Sequence, residues 1–169
     1  NLTLLSRVTN LVDANVTITG VDLSNALTLA ADKNVDQVQM NGDQTITLPY
    51  ATYVQNASLL NRLSTTGGTL SINVQGVSGN QAWGITENTK VTSLSVSSGE
   101  TLSVSYTDYI NGAARLAKIS NLSDVTVVVT EVSFDNALGI LATDTIVDQI
   151  SLTAGQTWSP DYATYITQA

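Results

Sequence analysis

Apolar and polar residues follow a pattern along this chain that recurs about every 56 residues. Each unit contains a segment rich in β-branched residues, and a later segment alternates apolar with polar positions. Both features predict strands. The first strand is predicted at residues 16–21, 72–77 and 127–132, and the second at residues 35–40, 91–96 and 147–152. The pattern therefore predicts six strands, two in each unit.

Two helices are predicted in each unit, one after each strand. The first is short and follows polar residues that can cap free amides at a helix start. The second is predicted to start at a Thr or Ser that recurs at one position and is a good N-cap, with Pro49 inside the first turn of the first unit. These N-cap residues are Thr47, Ser103 and Ser159. Apolar residues then recur every three or four positions, which predicts that Leu60 and Leu116 are buried.

The repetition is clearest in a pair of tyrosines, which occurs as Tyr50-Ala-Thr-Tyr53, Tyr106-Thr-Asp-Tyr109 and Tyr162-Ala-Thr-Tyr165. We divide the chain accordingly into copy one (1–57), copy two (58–113) and copy three (114–169). Strands that alternate with helices favour parallel pairing. The sequence thus predicts an α/β tandem-repeat solenoid with parallel strands. An all-β solenoid or sandwich is the alternative, and three small independent domains are less favoured because a unit of this size is marginally stable alone.

Composition excludes several kinds of chemistry. The chain has no cysteine and no histidine, so disulfides, thiolate metal sites and the commonest general base are not available. A formal net charge of −8 opposes binding to nucleic acid. No apolar run is long enough to predict insertion into a membrane. We therefore expect no cofactor, no metal site, no nucleic-acid partner and no membrane insertion.

Composition and turn motifs together resemble a known class of protein. Lys and Arg are few, Ser, Thr, Asn, Val and Gly are abundant, and Gly-x-Thr turns occur at residues 99–101 and 155–157. In these features the chain resembles the repeat regions of large secreted bacterial surface and biofilm proteins, which are adhesin-like and often exported by type I secretion. The resemblance implies an extracellular or cell-surface location. The sequence lacks the calcium-binding Gly-Gly-x-Gly-x-Asp nonapeptide of many such proteins, so a calcium site of that kind is not implied.

Two rows of side chains are candidates for ligand binding or for an interface. The tyrosines could form a stacking platform for sugars, although tyrosines one turn apart more often form a packed helix face. An amide recurs at one position after the first strand and could contact a ligand, although a bond to the helix start or to a neighbouring coil is the favoured interpretation. The two rows comprise Tyr50, Tyr53, Tyr106, Tyr109, Tyr162 and Tyr165, and Asn25, Gln81 and Asn136.

Catalysis would have to depend on carboxylates alone. Asp36 corresponds to Asp148, and Asp32 corresponds to Asp144, but copy two has Thr92 and Asn88 at these positions. Nothing in this spacing indicates two carboxyls facing each other across a cleft, as an acid pair requires. We expect these carboxylates to be solvated surface charges and the protein not to be an enzyme.

The expected function is that of a non-enzymatic structural module in an extracellular bacterial surface, matrix or filament protein. A carbohydrate-binding repeat domain is the alternative. No copy at either end is a divergent polar cap of the kind that isolated repeat proteins need. The expected partners are therefore further copies of the repeat, in the same chain or by head-to-tail self-association, and a glycan is the other candidate.

Overall fold

The computed structural model describes residues 14–157. These residues form nine strands and six α-helices, so the mixed α/β class predicted from the sequence is confirmed and the all-β alternative is wrong. Three predicted features lie outside the described residues, namely Tyr162, Tyr165 and the helix start at Ser159.

The strands are short, and each one precedes a helix or a turn. They are β1 (Thr17–Val21), β2 (Gln37–Asn41), β3 (Gln44–Pro49), β4 (Leu63–Thr66), β5 (Leu70–Val77), β6 (Val91–Val96), β7 (Thr101–Ser105), β8 (Thr126–Val132) and β9 (Gln149–Leu152). The α-helices are α1 (Leu23–Ala30), α2 (Tyr50–Asn61), α3 (Gly79–Ile85), α4 (Tyr106–Asn111), α5 (Ala113–Leu116) and α6 (Phe134–Thr143). One turn of 3₁₀ helix (Leu122–Asp124) follows α5.

All strand pairs of the described residues are parallel, and they form three sheets with the orders β1-β2-β4, β3-β5-β6 and β7-β8-β9. The same pairing recurs one repeat apart. Val38 of β2 pairs with Leu63 of β4, and Leu94 of β6 forms a bridge to Ile119. The second pair lies one repeat after the first. Because the second helices of copies one and two end beyond residues 57 and 113, we count residues 58–66 with copy one and residues 114–122 with copy two when we describe the structure.

The start of the second predicted helix is wrong. Thr47 and Ser103 lie in β3 and β7, and the helices begin only at Tyr50 and Tyr106. Both residues are exposed on strands whose alternate residues are buried. A small hydroxyl residue suits the solvated face of a strand as well as it suits an N-cap, so its position alone could not distinguish the two. Pro49 ends β3 and occupies the N-cap position of α2.

Glycines in the left-handed region make the corners that separate neighbouring strands. Gly42 joins β2 to β3 with φ of 66°, and Gly99 lies between β6 and β7 with φ of 78°. Gly155 follows β9 with φ of 80° and stands at the corresponding position of copy three. Glycine adopts this conformation without the steric cost that a Cβ brings. In copies one and two the sequence pattern predicts one strand followed by a loop, whereas in the structure the glycine corner is followed by a second strand.

The core is one continuous cluster of buried residues from Ala26 to Val127, with contributions from all three copies. Leu60 and Leu116 are buried as predicted, with exposed fractions of 2% and 7%. A second, smaller cluster contains Val129, Val132 and Ala137 beside β9. Copy three thus contributes Val125 and Val127 to the continuous core and packs the rest of its buried residues into a separate, smaller core.

Candidate interaction surfaces

The inner tyrosines of the tyrosine row hold one copy against the next. Tyr53 is 8% exposed, and Asn88 donates a 3.1 Å hydrogen bond from Nδ2 to its hydroxyl oxygen. One repeat later, the hydroxyl of Tyr109 donates to Oδ2 of Asp144. Asn88 and Asp144 follow α3 and α6 at equivalent positions. These two tyrosines therefore link a helix of one copy to the loop after the first helix of the next copy.

The Tyr109–Asp144 contact changes the titration of both groups. Burial raises the pKa of Tyr109 well above its usual range, and the hydrogen bond to Asp144 and the charge of that carboxylate add to the effect. Burial by itself would raise the pKa of Asp144, but the hydrogen bonds from Tyr109 and from the amides of Ile146 and Val147 together outweigh burial and lower it. Asp144 is thus held as a carboxylate.

The outer tyrosines are more accessible. Tyr50 and Tyr106 are half-buried at the first residues of α2 and α4. Tyr106 and Tyr109 line an open groove of about 330 Å³ together with Asn136 of α6. The structure therefore brings one member of the amide row close to two members of the tyrosine row.

The amides themselves lie in the first turns of α1, α3 and α6, and all three are exposed. Oε1 of Gln81 lies 2.6 Å from the hydroxyl oxygen of Ser78, which can donate to it. Ser133 accepts a 3.4 Å bond from the backbone amide of Asn136. Within residues 14–157, no hydrogen bond joins Asn25, Gln81 or Asn136 to another member of the row. They surround the helix starts and form no continuous ladder.

Basic side chains make contacts that the sequence interpretation missed. Arg62 donates from Nη1 to the carbonyl oxygens of Ala30 and Val35 at 2.9 and 3.0 Å. Lys118, at the equivalent position of copy two, donates from Nζ to the carbonyls of Thr86 and Asn88 at 2.7 and 2.9 Å. Both cations therefore bind the negative end of the first helix of their copy. Arg62 and Lys118 are basic residues at the same position of the repeat, and this match is the sequence feature that could have indicated a shared contact.

Lys90 binds the C-terminal end of α2, the second helix of copy one, in the same way. Its Nζ donates to the carbonyl oxygens of Leu60, Asn61 and Leu63 at 3.2, 2.9 and 2.9 Å. Burial lowers the pKa of Lys90. Three carbonyls at the end of α2 thus bind one ammonium that comes from the following copy.

The corresponding place in copy two has no lysine. Ile146 is the residue equivalent to Lys90 one repeat later, and an open groove of about 460 Å³ lies beside it. We call this space the copy-two groove. Its lining is mostly apolar and consists of Tyr109, Ile110, Ala113, Leu116, Ala117, Ile119, Leu122, Asp144 and Ile146.

Copy two also differs in having a broken second helix. Gly112 separates α4 from α5, and a Cβ at this position would overlap the indole ring of Trp83. The guanidinium of Arg115 lies 3.9 Å from the centre of the same ring. Trp83 occupies the position of the smaller Leu27 in copy one. The large ring therefore requires a glycine in the helix that faces it.

The sequence predicts that the corresponding carboxylates Asp36 and Asp148 are solvated surface charges, but in the structure both also bind backbone amides. Asp36 accepts a 2.8 Å hydrogen bond from the amide of Val16, and Asp148 accepts one of 2.8 Å from the amide of Val127. Each carboxylate thus holds the beginning of a first strand. Across residues 14–157, no three acidic side chains lie close enough together to hold a metal ion.

No helix among residues 14–157 is both long and apolar enough to cross a membrane. In comparisons with known proteins, no family model, no curated protein and no solved structure matches the chain.

Proposed function

We propose that this chain is a tandem-repeat α/β solenoid and a non-enzymatic structural module of an extracellular bacterial surface, matrix or filament protein. Its three copies stack so that length and rigidity come from the repeated sheets. Three observations support the stacking, and the extracellular role is inferred from the resemblance in composition.

The first support is the recurrence of pairings between copies. The interval between paired strands is the same in copies one and two, as the Val38–Leu63 and Leu94–Ile119 pairs show. Gln44 of β3 pairs with Leu70 of β5, and Thr101 of β7 pairs with Thr126 of β8, so each copy is also joined to the next by a strand pair. A stack of like units in contact with nearest neighbours is the architecture of repeat proteins.

The second support is that the tyrosine and lysine contacts also join successive copies. Tyr53 contacts Asn88, Tyr109 contacts Asp144, and Lys90 binds the end of α2. The two tyrosine contacts are equivalent, because Tyr109 and Asp144 lie one repeat after Tyr53 and Asn88, whereas Lys90 is replaced by Ile146 one repeat later. The recurring inner tyrosines are therefore among the side chains that join the copies.

The observation that carries the proposal is the exposed edge of β9. Met40 and Val96 have exposed fractions of 0% and 3%, whereas Leu152, at the same position of copy three, is 41% exposed. In copy one β2 has a strand on each side, and in copy two β6 pairs with β5 and forms a bridge to Ile119 on its other side, but within the described residues β9 pairs only with β8. An open parallel edge with apolar side chains is a template for a further strand. Another copy would supply that strand, either in a longer parent chain or from a second molecule.

An extended chain tests the stacking. Residues 58–113 are appended after Ala169, so that the new junction reproduces the natural step from Ala57 to Ser58. We expect the free energy of unfolding to rise and the amides of β9 to gain protection from hydrogen exchange. The matched control replaces Leu63 with Lys in the appended copy only, and it should abolish both gains. Equal stability and equal β9 protection in all three chains would contradict the proposal.

A carbohydrate-binding function is the second candidate, and one observation favours it. The half-buried Tyr106 and the exposed Asn136 line the same groove, which combines a ring for stacking with an amide for hydrogen bonds. A glycan array with the intact chain, compared with the Tyr106→Ala variant, tests it. Specific binding that the variant loses would favour this function over a purely structural one.

A further inference from the structure

The copy-two groove lies where copy one binds an ammonium group. Lys90 places its Nζ within hydrogen-bonding distance of three carbonyls at the end of α2, those of Leu60, Asn61 and Leu63. The residues one repeat later are Leu116, Ala117 and Ile119, and all three line the groove. The groove is therefore built from the same backbone segment that holds the lysine ammonium in copy one.

The lysine position itself has changed. Ile146 replaces Lys90 and is 40% exposed at the edge of the groove. Isoleucine cannot donate a hydrogen bond, so it does not take over the contact that Lys90 makes with the helix end. Partial negative charge accumulates at the C-terminal end of a helix and favours a cation there.

A carboxylate strengthens the preference for a cation. Asp144 lines the copy-two groove, and its equivalent one repeat earlier is the neutral Asn88. The hydrogen bonds from Tyr109 and from the amides of Ile146 and Val147 fix this carboxylate at the groove wall. Among residues 14–157, no Lys or Arg lines the groove. The remaining walls are apolar and suit an aliphatic stem.

We propose that the copy-two groove binds a primary ammonium group carried on an unbranched aliphatic stem, in the place of the missing lysine. The stem packs against Ile110, Leu116 and Leu122, and the ammonium donates to the carbonyls of the α5 end near Asp144. The inference depends on the equivalence of Lys90 and Ile146 and does not depend on whether the module is a spacer. A lysine side chain of a partner and a free polyamine share this chemistry.

The first experiment is a titration of the intact chain with n-butylamine, which reproduces the lysine side chain without its backbone. Backbone chemical shifts are followed by NMR, with n-butanol as the neutral probe of similar length. We expect saturable shifts for residues 116–119 and 144–146 with the amine and not with the alcohol. Equal responses to both probes, or no response to the amine, would overturn the proposal.

Two variants localise the site. Ile146→Lys supplies the missing ammonium from the chain itself and should abolish the response to n-butylamine. Lys90→Ile opens the equivalent place in copy one and should add a second set of shifts at residues 60–63. A response that persists unchanged in Ile146→Lys would place the amine elsewhere and refute the assignment. The wild-type titration remains decisive if either variant fails to fold.

Two further probes distinguish the sources of the ammonium. Nα-acetyl-lysine methylamide represents a lysine within a partner chain, and butane-1,4-diamine represents a free polyamine. Tighter binding of the lysine derivative would assign the groove to a partner's side chain, and tighter binding of the diamine would assign it to a polyamine. Failure of both probes to shift residues 116–119 would overturn the proposal.

Discussion

Replacement of the two buried leucines at the ends of the second helices tests the packing quantitatively. Leu60 is 2% exposed and lies within the continuous core, so Leu60→Ala leaves a cavity enclosed on all sides. Leu→Ala changes in cores cost about 2–5 kcal/mol, and we place Leu60 at about 3–4 kcal/mol because its surroundings are continuous. Leu116 is 7% exposed and also lines the open copy-two groove. Its loss enlarges an existing opening, so we expect Leu116→Ala to cost about 2–3 kcal/mol.

Urea denaturation of the whole chain measures these differences. The matched controls are Val54→Ala on α2 and Ile110→Ala on α4, whose side chains are 53% and 55% exposed. Each control should change the free energy of unfolding by about 0.5 kcal/mol or less, the usual effect of a surface substitution. A loss of less than about 0.5 kcal/mol for Leu60→Ala, or equal losses for the buried and exposed positions, would refute the helix orientation.

Three further outcomes are expected. Glu131 has φ of 60° where copies one and two have glycine, so Glu131→Gly should stabilise the fold by about 1 kcal/mol in urea denaturation; a loss of stability would contradict the cost assigned to this conformation. Because the folded-state pKa of Asp144 is lowered, its hydrogen bonds stabilise the fold above about pH 4, and this stabilisation is lost as the pH falls through the lowered pKa. Asp144→Asn should therefore flatten the acid limb of the stability profile, and an unchanged limb would show that the carboxylate is not coupled to folding. Folding should not depend on calcium: a melting temperature raised by several degrees in millimolar calcium and restored by chelator would overturn this. In that case four aspartates would be the first to replace, namely Asp32, Asp36, Asp144 and Asp148.

The strands with the cleanest patterns were predictable from sequence alone. The segments 72–77 and 91–96 lie in β5 and β6 because their apolar residues alternate and become buried on one face. By contrast, β3 and β7 were assigned to a loop and a helix start. They are only six and five residues long. Their exposed Ser and Thr residues occur at helix N-caps as well as on strands, so the boundary between strand and helix could not be placed from sequence.

The candidate surfaces were predictable only in part. The tyrosine row was visible as a repeat, but its partners Asn88 and Asp144 lie 35 residues away from Tyr53 and Tyr109. A contact over that distance depends on how the strands stack and is not encoded in local periodicity. The copy-two groove depends on a single difference between copies, Lys90 against Ile146. Aligned copies display that difference, but its consequence requires knowledge of the carbonyls that Lys90 binds.

Hydrogen exchange of the Leu94→Ala variant tests most directly whether the three copies form one stack. Leu94 is 1% exposed in β6, at the middle of the chain, and belongs to the cluster that extends from copy one to copy three. The account predicts that the slowest-exchanging amides of β2, β5 and β8 all lose protection by the same factor, because the copies unfold together. Loss of protection confined to residues 58–113, with β2 and β8 unchanged, would show that the copies are independent domains and would contradict the solenoid.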